Sequence, residues 1–375
     1  MARTSKGPDR DTTNEFARLD AFIGSYMTPH GGDAALPGPE LGPFLKRVRY
    51  HGVQGILNAT PSFQAAAGPD LAGAVSRMAM ADAVHEEVHR TLLREVFDAF
   101  AAAEIPFLVL KGTAVAYLFH EDPAARPRCD TDLFVPEDRL SDAESCLASL
   151  GFQTSPVYAP VYQHTHAITR HGMSLEIDLH WRAANSEVIS RAFEFDPMLA
   201  DSQPVPRLHP AARAPSSADL LCFAIMHMAL DQAHRSGARM IWLDDMALIA
   251  RRLGEAGWAS FLRGVEVRGL AGVARSSLNK VEAKFGGLVP QPVTATLNTL
   301  PNGALSDYLS ASRTQRFRQE LAIRPPADAL RFLWQVVLPD RARLAAKYGA
   351  APAWKVPWLY ARRAVSGLRQ WRLMR

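Results

Sequence analysis

Apolar residues recur at three- and four-residue spacing through most of this chain, and only between Ile105 and Trp181 does the pattern break into short runs of strand length. In the polar opening, Phe16, Leu19, Phe22 and Ile23 keep a helical spacing that would let them dock, but residues 1–33 read as a flexible N-terminal arm. A helix is predicted from Glu40 to about Leu57 and a long one from Asp70 to Ala103, together an N-terminal helical region over 34–104. At Phe107-Leu108-Val109-Leu110, bounded by Pro106 and by Lys111-Gly112, the pattern becomes that of a buried strand feeding a turn. A helix over Thr113–His120, a strand over Thr131–Val135 and a helix over Glu137–Leu150 closed by Gly151 follow. Two more strands, His164–Thr169 and Ser174–His180, flank a hairpin turn at Arg170-His171-Gly172-Met173. The prediction is an α+β fold: a small mixed β-sheet core over 105–203 with helices on one side, flanked by N-terminal and C-terminal helical regions. Four prolines between Pro204 and Pro215 read as a linker. Ser217-Ala218-Asp219 then caps a helix from Leu220 to about Gln232, and Met240–Leu253 and Trp258–Arg268 continue a C-terminal helical domain over 216–300, before a basic helical tail over 301–375.

Composition adds three constraints. With 48% hydrophobic and 21% charged residues the chain can bury a core. Cys129, Cys146 and Cys222 form no C-x-x-C pair, and the opening MARTSKGPDRD lacks the apolar run of a signal peptide, so a cytoplasmic protein is expected. The net charge of +4 is unevenly placed: from Arg341 onward there are nine basic residues and no acid, which leaves the rest of the chain net acidic. Trp354, Trp358, Tyr360 and Trp371 interleave with those basic residues. Such a tail would suit RNA or an anionic membrane surface, but an amphipathic helix packed on the protein's own body is the favoured reading.

The chemistry concentrates in the strands. In Asp130-Thr131-Asp132, alternation puts both carboxylates on one face and Thr131 on the other. Two carboxylates aimed at one spot repel unless a cation sits between them, and Mg²⁺, or Mn²⁺, meets that need. In Leu175-Glu176-Ile177-Asp178-Leu179-His180 the same alternation aligns Glu176, Asp178 and His180. Asp178 is preferred over Glu176 as the third carboxylate of a two-metal arrangement suited to phosphoryl transfer. Lys111-Gly112 at a strand-to-helix turn would let phosphate approach the backbone and a helix N-terminus. The lysine precedes a lone glycine, so this is not a Walker P-loop.

These segments carry a resemblance. The runs Leu108-Val109-Leu110-Lys111-Gly112-Thr113-Ala114, Asp122-Pro123-x-x-Arg126-Pro127-x-x-Asp130-Thr131-Asp132-Leu133-Phe134-Val135 and Ile177-Asp178-Leu179-His180-Trp181 are similar, in order and spacing, to the uncharacterised nucleotidyltransferase family of the DNA polymerase β-like superfamily. Leu221 through His227 and Trp242-Leu243-x-Asp245 resemble that family's downstream helices, so the similarity spans roughly residues 75–285. The resemblance implies a nucleotidyltransferase core, a metal-bound nucleoside triphosphate such as ATP, and in-line attack that releases pyrophosphate. It implies metal on Asp130, Asp132 and Asp178, with Glu176 as the rival third ligand, and triphosphate against Lys111, Gly112, Thr113 and Arg126. In most of the superfamily the glycine is followed by serine or glycine, whereas here Thr113 follows Gly112. The acceptor, whether a small molecule, sugar or peptide, is not encoded in these motifs. A non-catalytic nucleotide sensor or scaffold, and γ-phosphotransfer on the same fold, stand as alternatives.

Plainer readings apply to several neighbours. His180 and Trp181 read equally well as a structural pair, with the indole packed under the sheet. His164 and His166 with His180 would make a zinc set, a reading given little weight. His227 reads as a core histidine, Asp244 and Asp245 as residues that cap, pair or solvate a helix, and Arg128 as a loop charge.

Overall fold

The computed structural model describes residues 10–28, 40–155, 162–232, 238–338, 344 and 352–362. Five helices lead into the sheet: α1 (Arg10–Ser25), α2 (Leu41–His51), α3 (Gln54–Asn58), α4 (Pro61–Ala66) and the long α5 (Gly68–Ala102). The helix expected from Glu40 to Leu57 is broken at Gly52, whose φ of +70° ends α2 in a left-handed cap with its N–H on the carbonyls of Val48 and Arg49. The stretch expected as a flexible arm is, in its described part, helix α1. Leu19, Phe22, Ile23, Tyr26 and Met27 are all buried. Phe22 meets the Tyr26 and Phe44 rings at centroid distances of 5.0 and 6.0 Å, and Tyr26 meets Phe63 at 5.4 Å. Arg47 and His51 of α2 bind Asp20 of α1 at 2.5 and 2.9 Å. The helical spacing of those apolar residues outweighs the polar composition around them.

The core alternates strand and helix: β1 (Leu108–Val109), α6 (Lys111–Phe119), β2 (Asp130–Phe134), α7 (Leu140–Ser149), β3 (Gln153–Thr154), β4 (Gln163–Arg170) and β5 (Met173–His180). The sheet order is β1-β2-β5-β4-β3, with β2 and β5 parallel and every other pair antiparallel. In the parallel pair Asp130 lies opposite Glu176, Asp132 opposite Asp178 and Phe134 opposite His180, so these side chains share one face. The other face is covered by helices. Thr131 of β2 reaches His89 of α5 and Thr113 of α6, and His164 of β4 reaches Glu144 of α7.

Helices α8 (Glu187–Ser190) and α9 (Phe195–Ala200) follow, then a two-stranded hairpin of β6 (Gln203–Pro204) and β7 (Arg213–Ala214). This hairpin replaces the expected linker, because Val205, Leu208, Ala212 and Ala214 are completely buried, and of the four prolines only Pro204 lies on a strand, one with a free edge. The C-terminal helices are α10 (Ser217–Gln232), α11 (Met240–Arg252), α12 (Glu255–Arg268), α13 (Ala271–Phe285), α14 (Gln291–Thr299), α15 (Ala304–Ser310), α16 (Arg313–Ala322) and α17 (Pro326–Val337). One buried apolar cluster runs from Leu19 to Leu309 and binds the helical flanks to the core. Of the tail, Trp354 and Trp358 are exposed and Leu359 is buried, while Trp371 lies outside the described residues. No helix among the described residues is long and apolar enough to cross a membrane.

The docking of α1 has a direct test: Phe22→Ala should destabilise the protein by about 3–5 kcal/mol in urea unfolding, whereas a loose arm would leave the midpoint unchanged.

Candidate active site

The turn from β1 into α6 sets one edge of the site. Lys111 adopts a φ of +47°, a left-handed conformation that costs an L-residue about 1–2 kcal/mol. Opposing that cost, its Nζ sits 2.5 Å from Asp132 Oδ1 and the backbone N–H of Leu110 donates to the Asp132 carbonyl at 3.0 Å. At the next residue there is no room for a side chain, since a Cβ on Gly112 would lie 2.8 Å from Arg126 Nη1. The far end of α6 is held as firmly. Arg207 donates to the carbonyls of Tyr117, His120 and Glu121, and Arg252 to those of Leu118 and Phe119.

Asp132 is the most enclosed of the acids and is 5% exposed. Burial alone would raise its pKa, but the Lys111 ammonium and a hydrogen bond from His180, with Nε2 2.8 Å from the same Oδ1, together hold it well below the usual carboxylate range. Asp130, at the cleft edge, moves the other way. Burial, then the charges of Asp132 and Asp178, push its pKa up to about 6. Asp178 accepts from Gln163 Nε2 at 2.8 Å and from Thr165 Oγ1 at 2.5 Å, so β4 holds this carboxylate from the adjacent strand. The ligating atoms of Asp132, Asp178 and His180 all lie within 4.8 Å of one another. Glu176, the rival third acid, is exposed at the register position of Asp130 and stands outside that cluster.

Before the acids lies a cleft of about 390 Å³, lined by Lys111, Gly112, Asp130 and Asp132 on the core side and by Leu220, Phe223, His227, Asp231, Arg239 and Trp242 from the C-terminal helices and the segment leading into α11. Arg126 also faces it, clamped by Asp245 through Nε–Oδ1 at 3.1 Å and Nη2–Oδ2 at 2.7 Å. The residue proposed for phosphate thus also joins the core to α11. Asp244 next to it is pushed up to about 7 by burial and then by the Asp245 charge.

Other expected residues sit elsewhere. Thr113 does not face the cleft: it is buried with its hydroxyl 3.2 Å from that of Thr131, on the opposite side of the sheet from the acids, because strand alternation turns Thr131 away from Asp130 and Asp132. Arg128 is no loose loop charge, since its guanidinium pairs with Glu86, which also accepts from the Tyr117 hydroxyl at 2.5 Å. His227 lines the cleft, and burial followed by the Lys111 charge lowers its pKa to about 3. His180 contacts Asp132, while the Trp181 ring packs edge-on against His164, on the reverse face of the sheet. No zinc set of His164, His166 and His180 forms, since β4–β5 pairing puts His180 opposite Gln163 and the other two histidines on the reverse face. Gln163 and Thr165, which fix Asp178, had no signal in the sequence beyond their place on the strand, while Phe223 and Trp242, which wall the cleft, lie within the segments that resemble the family's downstream helices.

A strand pair that presents three carboxylates beside a helix N-terminus and a cleft has the makings of a metal-dependent phosphoryl- or nucleotidyl-transfer site. The profile of the family described as "uncharacterised nucleotidyltransferase" matches residues 38–286, and the chain belongs to that family. It is a nucleotidyltransferase, and the family in general uses a nucleoside triphosphate and a divalent cation. No curated protein matches the sequence. Among solved structures, the chain is similar to the antibiotic-resistance factor ANT(2″)-Ia in solution, at 16% identity over 52% of this chain and 96% of that one, with a TM-score of 0.34. The same factor in complex with adenylyl-2″-tobramycin matches at 16% identity over 47% and 97%, with a TM-score of 0.34. An antigenic nucleotidyltransferase-like protein from Paracoccidioides brasiliensis matches at 14% identity over 56% and 91%, with a TM-score of 0.35. Likenesses this distant bear no weight beside the family match.

Two outcomes follow from the charges. Asp130 holds a proton up to about pH 6 in the folded chain but releases it near 3.8 when unfolded, so its contribution to stability falls as pH rises through that window and is most unfavourable above it. In EDTA, Asp130→Asn should therefore stabilise the protein by about 1–2 kcal/mol at pH 7.5, and the gain should shrink to less than half at pH 4.5. An equal gain at both values would show that charge is not its source. Asp245→Ala, which strands the Arg126 guanidinium, should cost about 3–5 kcal/mol, and Arg126→Met with Asp245→Leu should recover most of it.

Proposed function

We propose that the protein transfers a nucleoside monophosphate from a nucleoside triphosphate to an acceptor hydroxyl. The observation that carries this reading is the β2–β5 register, which sets Asp132 beside Asp178 with Asp130 two residues away on the same face, Asp130 and Asp132 lining the cleft.

The donor set suits a hard divalent cation, Mg²⁺ or Mn²⁺: its atoms are carboxylate oxygens, and the Lys111 ammonium, paired with Asp132, offsets only part of their charge. Asp130, Asp132 and Asp178 would hold it, and when bound it would neutralise the triphosphate and favour the acceptor's alkoxide. Lys111, the Gly112 backbone and Arg126 bind the phosphates, Arg126 being kept in orientation by Asp245. The acceptor oxygen forms a bond to the α-phosphorus as the bond to the bridging oxygen breaks, and pyrophosphate leaves with that electron pair. Asp178, fixed by Thr165 and Gln163, orients the acceptor hydroxyl, whose proton is released to solvent. Most of the rate comes from positioning and charge neutralisation, and no covalent enzyme intermediate is required. Phe223 and Trp242 give the cleft an apolar wall against which a base or an acceptor ring would pack. We place it in the cytoplasm, where a reducing environment suits the free thiols of Cys129, Cys146 and Cys222.

The test is incubation with Mg²⁺, each α-³²P-labelled nucleoside triphosphate and a cell lysate as the source of acceptor. Label should move to an acceptor with stoichiometric pyrophosphate, and Asp132→Ala should lower the rate by at least about 10³-fold. Release of diphosphate with label left on the nucleotide would mean γ-phosphotransfer. Metal-dependent nucleotide binding without transfer would mean a sensor or scaffold.

A further inference from the structure

On the reverse face of the sheet, β4 presents His164 and His166 towards α7, which contributes Glu144 between them. His164 Nδ1 lies 2.5 Å from Glu144 Oε1, His166 Nε2 lies 3.7 Å from the same oxygen, and the three ligating atoms all fall within 4.8 Å of one another. The two histidines are two residues apart on one strand, which points both rings to one side. His166 is 1% exposed, and its Nε2 has no hydrogen-bond partner among the described residues. A buried polar atom left unpaired is costly and calls for a partner. Its other nitrogen, Nδ1, is 3.2 Å from the Thr154 hydroxyl, an arrangement that fixes the ring and directs the free nitrogen at Glu144. Trp181 covers one side, its ring centroid 4.7 Å from that of His164.

We propose that Glu144, His164 and His166 form a second metal site, for a transition-metal ion of the Zn²⁺ type, separate from the carboxylate cluster. Two imidazoles and one carboxylate select Zn²⁺ over Mg²⁺ or Ca²⁺, and with three protein ligands the fourth position falls to water. Such an ion supplies the missing partner of His166 Nε2 and ties α7 to β4. It also fixes Thr165, the residue between the two histidines, which faces the other way and donates to Asp178 at 2.5 Å. The site would therefore hold in place the strand that presents the third carboxylate.

The experiment is calorimetric titration of metal-stripped full-length protein with Zn²⁺ in saturating Mg²⁺, repeated with Co²⁺ and read in the visible spectrum. The wild type and Asp132→Asn, whose change lies in the other cluster, should each take up one Zn²⁺ at this site and give the intense visible bands of tetrahedral Co²⁺. Glu144→Gln should weaken Zn²⁺ binding at least about 10-fold, and His166→Gln should abolish it and the Co²⁺ bands with the far-ultraviolet circular dichroism unchanged. Should His166→Gln fail to fold, Glu144→Gln, at a partly exposed helix position, carries the test alone. No uptake by the wild type, an unchanged Kd in Glu144→Gln, or uptake lost only with Asp132→Asn would overturn the proposal.

Discussion

Negative charge gathered on one face of two parallel strands is the constraint to which the rest of the molecule answers. Asp130, Asp132 and Asp178 share one face because the β2–β5 register allows nothing else. Their mutual repulsion is relieved in three ways: Lys111 accepts an unfavourable backbone conformation beside Asp132, His180 donates to the same oxygen, and Thr165 with Gln163 donates to Asp178. Asp130 has no ion pair among the described residues, and burial, then the charges of Asp132 and Asp178, raise its pKa. Strain and uncompensated charge at one spot, inside an otherwise well-packed core, mark a place shaped for binding rather than for stability.

Rigidity around that spot comes from α6. Its first turn lines the cleft with Lys111 and Gly112, its last carbonyls are held by Arg207 and Arg252, and its underside meets α5 through the buried chain of Thr113, Thr131 and His89. The Arg128–Glu86–Tyr117 network ties the loop before β2 to α5 in the same way. The C-terminal helices then close the cleft from the opposite side, joined to the core by the Arg126–Asp245 pair. The family match over residues 38–286 spans both walls, in agreement with a site built from two halves of one continuous core.

Much of this was legible in the sequence because alternation and turn residues are local signals. The strands at Asp130 and Ser174, the hairpin at His171-Gly172 and the grouping of the acids all follow from period-two patterning. What escaped depends on distant partners. Nothing near Arg126 says that it meets Asp245 more than a hundred residues on, or near Thr113 that its hydroxyl serves the far side of the sheet. The N-terminal helix was missed because polar residues diluted an apolar stripe that only Phe44 and Phe63 make worthwhile. The proline-rich hairpin was missed because composition outweighed the burial of Val205 and Leu208. Alternation puts the two histidines of β4 on one face, but the sequence offered only His180 as their companion, whereas Glu144, which lies beside them, is on a helix that no spacing rule connects to them.

The contact between Gly112 and Arg126 has an evolutionary consequence. The guanidinium fills the space that a Cβ at Gly112 would need, so the two positions are not free to drift independently. A lineage that first replaces the glycine must shift the arginine guanidinium and so disturb its pair with Asp245, which bridges the two halves of the cleft. One that first shortens the arginine opens room, and the glycine then becomes an ordinary helix position. Mutational paths through this pair are therefore directional, and relatives without the arginine are where alanine or serine at the glycine position becomes sterically permitted.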